Sequence, residues 1–222
     1  MITLDIETLP TENPEIIAEI EASIKPPAQY KKPESIAQWM AENKEAEIKE
    51  LVSETALDAA YGKIACIAWK YDDWPCQSTN ADQTEDEAIS TFYEGFATIW
   101  KTESSLLICG HFVKTFDLQF LKQRSIILGI RPPKALLEVM NCSLYDDRIA
   151  DTNLMWTGDR NKRIKLDTLC KILGIEGKNG FDGSMVAETW KTDKQKVIDY
   201  CKQDVELAYK VYNKLTFNYS VF

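Results

Sequence analysis

MITLDIETLP (residues 1–10) decides how this chain is read, because it is a strand that carries two carboxylates. Ile2, Leu4 and Ile6 alternate with Thr3, Asp5 and Glu7, a period of two that assigns one set to each face of an extended segment. One face can bury three aliphatics, and the other presents Asp5 and Glu7 side by side. Like charges so placed repel unless something positive sits between them. An ordinary edge strand with a wet polar face would carry the same ten residues, so the choice falls to the rest of the chain.

Length and composition narrow it. A chain of 222 residues suits one domain spanning 1–222, with room for an insertion. Apolar residues at 45% supply a core, and charged residues at 27% fit a soluble protein. No apolar run of about 18 residues occurs, so no membrane span is expected. No basic region followed by an apolar stretch opens the chain, so no signal peptide is expected either. The cysteines at 66, 76, 109, 142, 170 and 201 include no C-x-x-C pair and read as reduced thiols of a cytoplasmic protein. A net charge of −9 argues against broad electrostatic capture of nucleic acid. It does not exclude a nucleic-acid enzyme whose site holds divalent cations, because carboxylate ligands themselves add negative charge. GDRNKRIK (158–165) adds a local basic patch of Arg160, Lys162, Arg163 and Lys165, although a solvated, salt-bridged loop would carry the same charges.

Periodicity gives the order of elements. Residues 13–58 read as a helical insertion: PEIIAEIEASIK, a break at PPAQYKKP, then PESIAQWMAENKEAEIKELVSETAL, each helix with proline in its first turn. YGKIACIAWKYDD (61–73) reads as a strand and CQSTN (76–80) as a short third one. Thr84 with Glu87 forms a capping box ahead of Ile89, Phe92, Phe96, Ile99 and Trp100 at helical spacing. SLLICGH (105–111) has the run of a buried strand ending at Gly110, and a helix is predicted from Asp117 to Leu128. Beyond residue 131 the pattern is harder: KLDTLCKILGI (165–175) is helical, GKNGFDG (177–183) is a loop, and Thr192 with Gln195 forms a box opening a last helix over 193–215. The expected fold is α/β, a mixed sheet with helices packed on it and a helical insertion after the first strand.

Three acidic pieces carry the chemistry. In the last helix Val197, Cys201, Val205, Ala208 and Tyr212 form a buried stripe, with Tyr200 and Asp204 one turn apart along its flank. Asp117 follows a strand end, where α/β sheets commonly place ligands; it would also be at home as an acidic first-turn residue. With Asp5 and Glu7 these make four hard oxygen ligands, which suit Mg²⁺ or Mn²⁺ far better than zinc. Two such ions about 4 Å apart clamp the attacking and leaving oxygens of a phosphodiester.

In order and spacing the pieces resemble the three motifs of the DEDD superfamily of 3′–5′ exonucleases, which has a ribonuclease H-like fold. LDIETLP looks like the first motif, GHFVKTFD like the second, and YCKQD like the third in its tyrosine form. KLDTLCKILGIEGKNGFDGSMVAETW followed by YCKQDVE is similar to the stand-alone branch related to the exonuclease domain of family B polymerases. The resemblance covers the first strand and most of residues 61–215. It implies that Asp5, Glu7, Asp117 and Asp204 are metal ligands for two divalent ions, Mg²⁺ or Mn²⁺, and that Tyr200 orients the attacking water. Thr8 and Leu9 would meet the terminal nucleotide. The histidine subtype is not available: its histidine would fall at Asp199, and the single histidine, His111, lies in the second motif. The family pattern usually has Asn after that histidine, where this chain has Phe112, a ring that can stack on a base or serve the core. Phe112, Arg160, Lys162 and Arg163 are thus candidate substrate contacts. The implied partner is nucleic acid, DNA ahead of RNA, with no membrane, and the insertion offers a surface for a replication protein. An RNA-trimming exonuclease of the same fold and a non-catalytic binding module are the alternatives.

Overall fold

Strand β1 (Ile2–Leu9) is central rather than peripheral. In the computed structural model, which describes residues 1–102, 107–177 and 180–218, it joins β2 (Lys63–Tyr71), β3 (Gln77–Ser78), β4 (Ile108–Gly110) and β5 (Ile149–Asp151) in one sheet of order β3-β2-β1-β4-β5. β4 runs parallel to β1, with Ile2 opposite Ile108, and parallel to β5, with Gly110 opposite Asp151. β3 runs antiparallel to β2, so the sheet is mixed, as expected. Residues 105 and 106 of the expected strand, and 178 and 179 of the expected loop, lie outside the described residues.

The alternative of an edge strand with a wet polar face fails, although Asp5 stays half-buried. Thr3 is fully buried and Glu7 nearly so, because helices cover both sides of the sheet. On β2 the alternation is explicit: Trp69 meets Phe92 of α3 (Glu85–Trp100), while Lys70 pairs with Glu206 of α9 (Lys194–Leu215). On β1, Asp5 touches Cys201 of α9, so Thr3, Asp5 and Glu7 face α9 and the aliphatic set faces the other way. The polar face of the first strand therefore lies beneath the helix that carries Tyr200 and Asp204.

α3 starts at the expected box, with the Thr84 and Glu87 side chains exchanging bonds with each other's backbone amides. Glu85 then pairs with Arg124 of α4 (Asp117–Leu128) at 2.7 Å and accepts the Ile64 amide. Between β4 and α9 the chain forms α5 (Lys134–Asn141), β5, α6 (Thr152–Thr157), α7 (Leu166–Ile172) and α8 (Val186–Thr192). The last helix departs from its predicted start. Thr192 is still helical in α8 and its hydroxyl donates to the Thr189 carbonyl, so it cannot cap; Asp193 does, accepting the Lys196 amide at 3.1 Å.

Two compact units divide the chain, Met1–Glu7 with Ile64–Phe222, and Thr8–Lys63. The smaller holds α1 (Pro14–Ser23), capped by Asn13, and α2 (Pro33–Glu54), which pack on each other with Lys44 paired to Glu21. Among the described residues no helix is long and apolar enough to cross a membrane.

Gly110 ends β4 where there is no room for a side chain: a Cβ would fall 2.7 Å from the Val113 Cβ and 2.8 Å from the Leu4 carbonyl oxygen. Gly110→Ala should lower stability by about 1–3 kcal/mol, the usual cost of overpacking, as read by urea unfolding. A midpoint equal to wild type would show that the turn after β4 yields.

Candidate active site

β1 and α9 bring Asp5, Glu7 and Cys201 together, with ligand atoms of the three within 4.8 Å of one another. Cys201 is fully buried, and its thiol donates to the Asp5 backbone carbonyl at 3.3 Å and approaches Asp5 Oδ2 at 3.5 Å. Burial first, then contact with Cys66 and the charges of Asp5 and Glu7, push that thiol well above its usual range. It is a donor beneath the carboxylates, a neighbour that sequence spacing gave no reason to single out.

One residue before it, Tyr200 is buried at 8% exposure and its hydroxyl donates to Asp204, one turn along the same helix. Burial and the negative charges of Asp204, Glu7 and Asp5 drive the phenol far above the usual tyrosine range, so it stays protonated. The i, i+4 spacing predicted this pair, and Asp5 and Glu7 act on the same hydroxyl.

Asp117 enters from α4. It is buried, and its Oδ1 accepts the amide of Ile6 on β1 at 3.0 Å, a bond that ties the start of the helix to the strand between Asp5 and Glu7. Burial raises its carboxyl to about 7, with the charges of Asp151 and Asp204 adding to the effect. Asp117 and Asp204 stand outside the tight group of three yet feel each other directly.

Asp151 is the residue that sequence reading missed. It ends β5, is buried, and its carboxylate accepts the amides of Phe112, Asn153 and Leu154 at 3.1–3.3 Å and that of Lys114 at 3.4 Å. One side chain thus caps α6 and holds the turn after β4. The same turn is pinned by buried Lys114, whose ammonium donates to the Val139 and Met140 carbonyls at 2.9 Å. The available signal was an Asp followed by Thr-Asn in a cap position, obscured because β5 has only three residues.

The second motif and the basic loop meet through His111. Its ring bonds the Thr152 hydroxyl and the Ile164 carbonyl, each at 2.8 Å, and Asn153 bonds the Lys162 carbonyl and the Ile164 amide. These contacts bring Arg163 over the ring of Phe112 at 5.8 Å. Phe112 is half-buried with φ +63°, while Arg160, Lys162 and Arg163 are exposed. Thr8 is half-buried and Leu9 buried at the end of β1.

A family described as "Predicted 3'-5' exonuclease related to the exonuclease domain of PolB" matches residues 62–220, a span that includes Asp117, Tyr200 and Asp204 and leaves β1 outside. Among solved structures, the family B DNA polymerase of the hyperthermophilic archaeon Pyrobaculum calidifontis is similar at 16% identity and a TM-score of 0.60. The likeness covers 97% of this chain and 24% of that one, and shows a common ribonuclease H-like exonuclease fold. No curated protein matches the chain.

Folding favours the protonated form of Asp117, so its contribution to metal-free stability is full below about pH 4 and is lost as pH rises through about 7. In EDTA, the Tm of wild type should fall over that range relative to Asp117→Asn. Parallel curves for the two proteins would contradict the electrostatic compression described for this carboxyl.

Proposed function

The chain belongs to the family of predicted 3′–5′ exonucleases related to the PolB exonuclease domain, and we propose that it is a metal-dependent, tyrosine-type enzyme acting on DNA. On this reading it removes nucleoside 5′-monophosphates from the 3′ end of single strands or frayed ends. The observation that carries the reading is the convergence of Asp5 and Glu7 beneath the α9 pair Tyr200–Asp204, with Asp117 arriving through its bond to the Ile6 amide.

Asp5, Glu7, Asp117 and Asp204 would hold the cations, two Mg²⁺ or Mn²⁺. The donor set fits: it is four hard oxygens, and the neighbouring Cys201 is held as a protonated donor rather than a thiolate ligand. Bound there, divalent ions would offset the charge of the scissile phosphate and lower the pKa of the attacking water. Tyr200, kept protonated, orients that water through its hydroxyl and is not the base. Phe112 with Arg163 above it offers a stacking face and a cation to a strand, and Arg160 and Lys162 extend the charge along its backbone. Thr8 and Leu9 meet the terminal nucleotide. We read residues 13–58 as a helical insertion within a single exonuclease domain spanning 1–222 and as the surface for a replication protein.

A time course on 5′-labelled single-stranded DNA and RNA of one sequence tests this. A one-nucleotide ladder from the 3′ end of DNA, supported by Mg²⁺ or Mn²⁺ and abolished by EDTA, is expected. Asp5→Ala and Asp204→Ala should each cost more than the roughly 100-fold of a lost outer-shell contact, while Tyr200→Phe costs less. Cleavage of RNA alone would move the substrate, and no cleavage of either strand would leave a binding module. Replacing Arg160, Lys162 and Arg163 with alanine should weaken single-strand binding and reduce the log–log salt slope by about 2. An unchanged slope would place the strand elsewhere.

A further inference from the structure

Tyr200 has a neighbour that the proposed reaction has not yet used. The ring of Phe181 lies 4.7 Å from that of Tyr200, centroid to centroid, tilted by 56°. Lys196, one turn before Tyr200 on α9, places its ammonium 5.3 Å from the Phe181 ring centroid. Phe181 thus touches two consecutive positions of one helix stripe, Lys196 and Tyr200, and the next position along it is Asp204. Two local features flank it. Gly180 before it takes φ +79°, and Asp182 after it caps the following turn by accepting from the Ser184 amide and hydroxyl. Phe181 is half-buried, with its ring against that of Tyr200.

We propose that Phe181 is a positioning residue for Tyr200, holding the phenol ring in the orientation that the exonuclease step requires, with the Lys196 ammonium against the same Phe181 ring. The inference rests on the reading of Tyr200 given under Proposed function. Aromatic pairs prefer such tilted contacts, and a cation over a ring face adds to them. The hydroxyl must be aimed at a reacting water, and Phe181 packs against the ring that carries it. Small misplacements of a catalytic group cost about 10- to 100-fold in rate.

Steady-state degradation of 5′-labelled single-stranded DNA separates this role from simple packing. Phe181→Ala should lower kcat at least about tenfold with KM within about twofold of wild type, and Phe181→Tyr, which keeps the ring, should recover most of the rate. In a Tyr200→Phe background the same Phe181→Ala change should cost almost nothing further, because the group it positions is already gone. Should Phe181→Ala unfold, Phe181→Leu keeps the bulk without the ring and should show the same kcat loss on a smaller scale. An undiminished kcat would overturn the inference. So would an equal loss in the Tyr200→Phe background, or a KM rise with kcat intact, which would make Phe181 a contact of the strand. Wild type run alongside separates the two levels: no ladder from wild type defeats the exonuclease reading itself, whereas a wild-type ladder with an unaffected Phe181→Ala defeats this inference alone.

Discussion

Carboxylates on the inner face of a central strand are costly, because each loses hydration that neighbouring negative charges only make harder to replace. That cost shapes this molecule. Asp5 and Glu7 lie on β1 beneath α9, and Asp204 with Tyr200 comes down on them from that helix. Asp117 arrives from α4 and is driven toward its neutral form by burial and by Asp151 and Asp204. Some relief is local: the Cys201 thiol donates to the Asp5 carbonyl, the Tyr200 hydroxyl to Asp204, and the Ile6 amide to Asp117. None of these three donors carries a positive charge; the divalent ions of the proposed function would supply it.

The turn after β4 shows how much scaffolding one buried carboxylate takes. Asp117 begins α4, and the preceding residues are held by three side chains from three places. Asp151 collects the Phe112 and Lys114 amides, Lys114 binds the last carbonyls of α5, and His111 reaches Thr152 and Ile164. The lysine sits at a helix C-terminus, where its charge is favoured by the helix dipole as well as by the bonds. Phe112 is left at a left-handed backbone position with its ring toward Arg163. An aromatic ring thus stands in the turn, whose Phe112, Lys114, Thr115 and Phe116 amides are all hydrogen-bonded.

Local rules were enough for much of this. The box at Thr84–Glu87, the helix from Asp117 to Leu128 and the prolines opening α1 and α2 depend on contacts within one turn, and each stands as read. The i, i+4 relation of Tyr200 and Asp204 is likewise a property of one helix. Where two local signals competed, as at Thr192 and Asp193, the sequence could not choose, because the outcome depended on where α8 stopped. β4 stood out as an apolar run ending at Gly110, but three-residue β5 has too little periodicity to be seen, and with β5 went Asp151.

The sequence by itself determined the chemical inventory and its order: two acids on a first strand, one after a later strand, and a tyrosine–acid pair on the last helix. It determined this because residue type and short spacing are written in the chain. Tertiary structure alone decided that the first strand is central with Thr3 and Glu7 buried, that Cys201 lies under Asp5, and that His111 draws the basic loop over Phe112. It alone set Phe181 against Tyr200. Each of these joins residues separated by turns and whole elements, and such pairs are fixed by the packing of helices on both faces of the sheet rather than by any local preference.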